Sequence, residues 1–573
     1  MAHVVTQACC ADASCVFACP VNCIHPTPDE PDFGTAEMLY VDPASCVDCG
    51  ACVGACPVGA IVPHTKLSDD QLPFLDINDA FPVRSHPPQA PVLPIRPKLD
   101  DGRLRVAVVG SGPAAMYVAD ELLKRPGVGV TVIDRLPTPY GLVRAGVAPD
   151  HPETRSITDL FRAIEDQPGF DYALGLDVGT DITHDELLDH HHAVVYATGV
   201  SRDRTLGIEG ESLPGSMSAT EFVAWYNGHP DHVDLQPELG TERAVVVGNG
   251  NVALDAARIL ATDPERLATT DIADHALEAL RGSAVREVVL LGRRGPAQAA
   301  FTLPELVGLL ARDDIEVVAE NLQLDEATAA RRAAGELDLL TERKLAALES
   351  LSTRTHRSGA RRIVLRFHAM PAELLGTDHV MGVRVAHTRL VEGEVGDVYA
   401  EPAGEHADLS AGLVLRAIGY RGRPIPGVPF DAATATIPND AGRITDEGAA
   451  WPGGYVAGWI KRGPTGFIGT NRTCAQETVD LLVADFNAGL LPSPTGTGED
   501  FTALVRHRRP DVVGLHGWRA IDHEERRRGR VQGRPRRKIV RPEEMLDVAS
   551  AGRRWWSGRH LLTRRMGDTR VPV

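Results

Sequence analysis

The chain has 573 residues, 43% of them hydrophobic, which is enough for several domains with cores of their own. Its 59 Lys and Arg against 78 Asp and Glu leave a formal net charge of −19 with histidine neutral. That balance excludes nucleic acid and an anionic membrane surface as main partners, since both need a basic face. No apolar run approaches the roughly 18 residues of a membrane span, and no secretory signal pattern is present, so a cytoplasmic protein is expected.

Nine of the ten cysteines precede residue 57, and the tenth is Cys474. Without a secreted context, dense cysteine points to metal rather than to disulfides. Cys46, Cys49, Cys52 and Cys56, followed by Pro57, match C-x2-C-x2-C-x3-C-P. In that run three thiolates wrap one iron–sulfur cube from a tight turn, and the fourth serves a second cluster. An earlier run, Cys9, Asp12, Cys15 and Cys19 before Pro20, keeps the spacing with Asp in the second place. The crossed assignment gives one cluster Cys46, Cys49, Cys52 and Cys19, a full thiolate set expected to hold [4Fe–4S]. The other takes Cys9, Cys15 and Cys56 with Asp12 at the fourth corner, which suits [3Fe–4S], or [4Fe–4S] with carboxylate or solvent on one iron. Cys10 is an alternative to Cys9, and Cys23 reads as a buried thiol nearby. Zinc is disfavoured, because its sites pair two C-x2-C knuckles. Residues 1–65 therefore read as a two-cluster domain that resembles the seven-iron and eight-iron ferredoxins.

A Pro-rich stretch, 66–103, follows and reads as a stiff, extended linker. Arg105–Val109 is then a short apolar run ending in Gly110-Ser-Gly112-Pro-Ala114-Ala115, a helical pattern continues to Leu123, and a second run, Val130–Ile133, ends at Asp134. Strand, glycine turn, helix and strand-tip acid are the parts of a dinucleotide site: the glycines let a pyrophosphate approach and the acid meets ribose hydroxyls. The pattern recurs from Ala244–Val247 through Gly248-Asn249-Gly250-Asn251-Val252-Ala253 to Val288–Leu291. Here Arg293 and Arg294 stand where the acid would be, which favours the 2′-phosphate of NADPH. Residues 321–351 read as exposed helix, 490–552 as polar segments returning to the body, and 553–573 as a basic tail.

Ala193–Gly199 and Leu413–Gly419 resemble the junctions of two-domain flavoproteins. Residues 136–151, Gly248–Val252, Arg293–Thr302, Ala457–Asn471, Gly517–Asp522 and Gly533–Arg536 together resemble the adrenodoxin reductase-like ferredoxin–NADP reductases. With the N-terminal module, the whole chain is similar to the mycobacterial-type members that carry a fused ferredoxin. The resemblance implies an α/β flavoprotein with two Rossmann-like domains, the NADP domain (206–404) inserted between two parts of the FAD domain (104–205 and 405–552), plus a small α+β ferredoxin domain. It implies FAD contacts from Gly112, Ala114, Asp134, Leu142, Val178, Trp459, Gly466, Phe467 and Ile468. It implies NADP contacts from Arg204, Asn249, Gly250, Asn251, Val252, Arg293, Arg294, Glu305 and Gly466. His151 is the candidate for a catalytic side chain near the flavin. One departure stands out: the family's acid three places after Glu305 is Gly308 here.

The expected activity is hydride transfer from NADPH to FAD, then single electrons through the fused clusters to an external acceptor such as a ferredoxin or a cytochrome P450. The alternative is an NADPH-dependent electron-input subunit of a larger reductase such as glutamate synthase, whose cysteine arrangement differs from the paired runs seen here.

Overall fold

The computed structural model describes residues 2–80, 95–100, 102–351, 359–392 and 398–552. Apart from the half-buried Arg105, the segment Leu104–Val109 is apolar and buried, the composition of a strand covered on both faces. It lies inside a seven-stranded sheet in the order Asn439–Asp440, Arg443–Asp446, Ala449–Val456, Ala193–Tyr196, Leu104–Val109, Val128–Asp134, Phe170–Leu174. The last five strands are parallel. A second sheet has six parallel strands in the order Ser216–Ser218, Leu413–Arg416, Arg243–Val247, Glu287–Leu291, Arg361–Arg366, Ile315–Glu320. A three-stranded antiparallel sheet, Ala369–Leu375, Gly382–Glu392 and Val398–Ser410, packs Leu374, Val383 and Val385 on its valines.

In sequence the strands of the second sheet lie between Ala193–Tyr196 and Asn439–Asp440 of the first, and they run past the expected boundary at 404. Leu413–Arg416 pairs between Ser216–Ser218 and Arg243–Val247, so the inserted domain extends past 404 and its last strand is this one. An apolar strand of this kind is completed only by neighbours on both sides, and both belong to the second sheet. The two connecting segments run side by side, Arg202–Asp203 pairing antiparallel with Tyr420–Arg421.

The expected extended linker is corrected at its start. Pro73–Ala80 is a helix with Pro at its first position, and it buries Phe74 and Ile77 against the cluster module. Asn78 ties it down, accepting from Val5 N (3.2 Å) and Val41 N (3.1 Å) and donating to Val5 O (2.9 Å). Phe74, Ile77 and Asn78, three and four residues apart, share one helical face, a period hidden by the prolines around it. The far end of the stretch lies on the helix Thr470–Asn487, where Arg96 pairs with Asp480 (2.7 Å). The segment 321–351 is less exposed than expected: within Leu339–Ser350, Lys344, Leu345 and Leu348 are buried. The basic tail 553–573 lies outside the described residues.

The cluster module sits on both nucleotide-binding domains. Gly469 N donates to Cys10 O (2.7 Å), and Arg472 donates to Ser14 Oγ (2.7 Å) and Asp12 O (3.3 Å). The approach is so close that a Cβ on Gly469 would lie 2.2 Å from Asp12 N and 2.4 Å from the Ala11 carbonyl carbon. The helix Leu515–Val531 supplies Glu525, whose side chain has no exposed surface. It accepts from Arg144 (2.6 and 2.9 Å), Arg536 (2.6 Å) and Ile539 N (2.9 Å). Burial pushes this carboxyl up, but the charges of Arg144 and Arg536 outweigh it and hold it below the ordinary range.

Two outcomes follow from these contacts. Glu525→Ala leaves Arg144 buried without a carboxylate and Arg536 with Asp522 alone, and is expected to cost ~3–5 kcal/mol, read as a fall in the apparent melting temperature by circular dichroism. Because the folded pKa is depressed, the wild-type advantage is complete above the ordinary carboxylate range and lost as pH falls through the folded value. Gly469→Val forces backbone apart at an overpacking cost of ~1–3 kcal/mol. Amide exchange at residues 11–14 is expected to accelerate about ten- to hundredfold, and unchanged exchange there would contradict this account of the seating.

Candidate functional site

The two cysteine runs fold alike. Each leads into a five-residue helix, Ser14–Ala18 and Ala51–Ala55, and each helix ends on a cysteine, Cys19 and Cys56, with φ −76° and ψ 117° in both. Ala11 and Asp48 share a left-handed φ (56° and 57°), as do Ala13 and Gly50 (59° and 73°). Asp12 therefore occupies the place that Cys49 has in the other run. Four residues beyond each helix end, an amide donates to that cysteine: Cys23 N to Cys19 Sγ and Ala60 N to Cys56 Sγ, both 3.3 Å. Cys23 is thus the counterpart of Ala60, not of a ligand.

The electrostatic neighbours of these thiols fall into the two crossed groups. Cys15 feels Cys9, Asp12 and Cys56 ahead of Cys52, and Cys52 feels Cys46, Cys19 and Cys49. Burial pushes Cys9 and Cys52 up to about 11 each. Thiols so placed stay protonated unless a cation replaces the proton, so this donor set fits iron. Cys10 is also near Asp12, Cys9 and Cys56, yet it packs in the core of the first nucleotide-binding domain with Ala114 and Tyr117. Cys15 and Cys19 belong to the module's own core, and Cys9 packs against both that core and the first domain's.

At the first nucleotide site, Gly110 ends the strand Leu104–Val109 with φ +102°, and a Cβ there would lie 2.4 Å from Ala197 O. Gly112 caps the helix Pro113–Leu123, whose first turn holds Ala114. This open helix N-terminus at the carboxyl end of a central strand fits a pyrophosphate. Asp134 ends the neighbouring strand as expected, but its carboxylate is already bonded: it accepts from Ser111 N (2.9 Å), Ser111 Oγ (2.6 Å) and Leu136 N (3.0 Å). Leu142 is 38% exposed beside this turn, whereas the Val178 side chain is buried in the domain's core. Trp459 follows Gly458 and donates from Nε1 to Thr465 O (2.9 Å). Gly466, Phe467 and Ile468 lead into the helix Thr470–Asn487. The Phe467 carbonyl accepts from Thr470 Oγ1 (2.8 Å) and that of Ile468 from Asn471 Nδ2 (3.0 Å).

The second site repeats the turn. Gly248 has φ +119°, and a Cβ there would lie 2.2 Å from Ala417 O. Gly250 caps the helix Asn251–Ala261, and Asn249 lies over Gly292 at the next strand's end. Asn251 Oδ1 accepts from Thr302 N (2.8 Å). Val252 is partly buried against the domain's core. Arg293 is exposed and Arg294 half-buried, and Arg204 is exposed with its amide on Gly419 O (3.2 Å).

Between the domains, His151 Nε2 lies 3.6 Å from Asp255 Oδ1 and 3.9 Å from Glu305 Oε2. Arg258 fills the centre of this group, donating to His151 Nε2 (2.5 Å) and pairing with Asp150 and Asp255. Its guanidinium is the cation of the cluster, which leaves no need for a metal there. Burial and Arg258 lower the His151 pKa, but Asp255 and Glu305 outweigh them and raise it. Burial pushes Glu305 up.

Sequence reasoning missed Asp255 and Arg258, which sit in the apparently ordinary helix that follows Gly250. It also missed Gln7 and Glu37, which reach this region from the cluster module: Gln7 Nε2 donates to Glu305 Oε2 (3.0 Å), and Glu37 accepts from Leu303 N (2.6 Å). The signal for Gln7 was Gly308, where a small residue stands in a helix.

Among the described residues, no helix is long and apolar enough to cross a membrane. Residues 104–289 match the family described as pyridine nucleotide-disulphide oxidoreductase, and residues 39–62 match the 4Fe-4S binding domain. A probable ferredoxin/ferredoxin–NADP reductase of Mycobacterium tuberculosis is 51% identical over 100% of this chain and 99% of its own length. The mitochondrial NADPH:adrenodoxin oxidoreductase of Arabidopsis thaliana is 41% identical over 78% of this chain and 95% of its own. Among solved structures, Mycobacterium tuberculosis FprA in complex with NADPH superposes with a TM-score of 0.74 at 43% identity, covering 78% of this chain and 99% of that one. The chain therefore belongs to the ferredoxin/ferredoxin–NADP reductases, oxidoreductases of the pyridine nucleotide family, in the form that carries its own 4Fe-4S binding domain.

Proposed function

We propose that this chain oxidises NADPH and delivers electrons through its fused module to an external redox protein in the cytoplasm. The observation that carries the reading is the seating of the module. Its Asp12-side ligand set lies against Gly469, next to the loop 466–468, while Cys49 of the complete set is exposed between Val47 (60% exposed) and Val53 (36% exposed). The incomplete set is thus the inner one and the complete set the outer one, which makes the Cys46–Val53 loop the exit. An exposed apolar rim at a cluster ligand suits a transient protein partner. A ferredoxin is the acceptor the family names favour, and a cytochrome P450 is a second class the same edge serves.

FAD, when bound, supplies the exchange between a two-electron hydride donor and one-electron iron–sulfur carriers. Gly110, Gly112, Ala114, Asp134, Leu142, Trp459 and the 466–468 loop would hold it, with Val178 contributing backbone only. Asp134 fixes the turn through Ser111 and keeps lone pairs for a ribose. Asn249, Gly250, Asn251 and Val252 at the second helix N-terminus would take the NADP pyrophosphate. Arg293 and Arg294, whose guanidinium groups have no hydrogen-bond partner among the described residues, would take the 2′-phosphate, and Arg204 and Gly466 would border the same nucleotide. His151, held by Arg258 and faced by Glu305, orients the nicotinamide side and keeps water out.

Cys9, Cys15 and Cys56 with Asp12 would hold the inner cluster. Cys9 is favoured over Cys10 because it also reaches the module's core, whereas Cys10 packs only in the first domain's. With a carboxylate that is itself engaged by Ser14 (3.3 Å from its amide) and Arg472 (3.6 Å), the fourth corner favours [3Fe–4S].

Anaerobic stopped-flow mixing with NADPH is expected to bleach the flavin first and the clusters after it; NADPH that binds and bleaches nothing would sink the reading. Asp12→Cys completes the inner thiolate set. Iron is expected to rise from about seven to about eight per chain, with loss of the [3Fe–4S] signal in low-temperature EPR of the oxidised protein. A wild-type protein that already holds about eight iron per chain and shows no [3Fe–4S] signal when oxidised would show that the inner cluster is [4Fe–4S].

A further inference from the structure

The helix Leu303–Leu310 belongs to the inserted domain, yet the cluster module holds it at both ends. Thr302, at its N-cap, makes no capping bond of its own. Glu37 does so from the module, accepting from Leu303 N (2.6 Å) while pairing with Lys344 (3.2 Å). Leu303 and Val307 pack into the module's apolar core. At the far end, Gly308 admits the tip of Gln7: a Cβ there would lie 2.3 Å from Gln7 Oε1 and 2.5 Å from Nε2. From that gap Gln7 Nε2 reaches Glu305 Oε2 (3.0 Å), one helical turn back on the same face. Neither Gln7 nor Gly308 is required by the cluster or nucleotide motifs, and each makes sense only with the other.

We propose that Gln7 is a positioning residue that links the seating of the cluster module to the NADP pocket: it holds Glu305 only while the module is docked, so the pocket is complete only when the electron outlet is in place. This rests on the reading of Glu305 as part of the NADP site. The groups facing Glu305 are His151 from the loop before 152, Asp255 and Arg258 from the helix Asn251–Ala261, with Asp150 behind Arg258. Of the uncharged neighbours among the described residues, Gln7 is the one that donates to it. A neutral donor on a carboxylate favours the ionised form, so its loss moves protonation to higher pH.

The test uses the full-length protein with flavin and iron content measured in every sample. Gln7→Leu removes the donor at nearly constant volume, and Gln7→Glu places a second carboxylate against the first. NADP+ affinity, read from the perturbed flavin absorbance, is titrated across pH. The acid limb is expected to move up by about 1 pH unit in Gln7→Leu, a tenfold change in the protonation equilibrium, and further in Gln7→Glu. Amide exchange within residues 303–310 is expected to rise in both. Should Gln7→Leu lose flavin or iron, Gln7→Asn, its amide withdrawn by one methylene, carries the same expectation. Variants with the wild-type NADP+ profile overturn the proposal, as do variants in which exchange rises at residues 9–12 while that profile stays put, because Gln7 would then serve only the seating. A wild-type protein that neither binds NADP+ nor is bleached by NADPH overturns the functional reading instead.

Discussion

The arrangement depends on a close approach between two backbones, Ala11–Asp12 of the cluster module and Gly469 at the start of the helix Thr470–Asn487. There is no room for a side chain between them. Hydrogen bonds flank the contact on both sides, from Gly469 N to Cys10 O and from Arg472 to Ser14. Backbone packed on backbone sets a separation that longer side chains could only increase. It makes the incomplete cysteine run the inner one and leaves Cys49 at the surface. A Pro-rich tether alone would keep the module nearby without fixing which run faces the body.

The same seating reaches the inserted domain through Glu37 and Gln7. The fused module is therefore also part of the wall around Glu305. The polar cluster of His151, Asp255, Glu305, Arg258 and Asp150 lies where three domains meet. Arg258 is buried and the others are half-buried, and charged groups so placed persist only when paired. Arg258 pairs several of them at once, so the histidine and the glutamate keep fixed positions without a metal. Removing the module would expose one side of this group to water and leave the helix Leu303–Leu310 without its cap.

The repeated features of the chain were legible in its sequence. Both glycine turns fell at strand ends, Val109 to Gly110 and Val247 to Gly248, because a parallel strand buried on both faces is an apolar run and a helix must follow it through a turn that only glycine allows. The paired cysteine spacing named Asp12 as the odd member, and the two runs have matching backbone angles. What escaped were features with no period of their own. The helix Pro73–Ala80 was hidden by neighbouring prolines. The last strand of the inserted domain, Leu413–Arg416, was read as the point of return to the other sheet, since an apolar run does not say which sheet it joins.

By itself, the sequence determined the chemistry: seven thiols and a carboxylate at ferredoxin spacing, two dinucleotide turns, an arginine pair in place of an acid. These are local patterns, dictated by how few residues can hold a cube of iron and sulfur or approach a pyrophosphate. The tertiary structure alone decided how these parts meet. Which cysteine run faces the body and how Gln7 meets Gly308 and Glu305 are matters of contacts between residues up to 460 positions apart. No spacing rule reaches that far, because such contacts exist only once separate cores have formed and been pressed together.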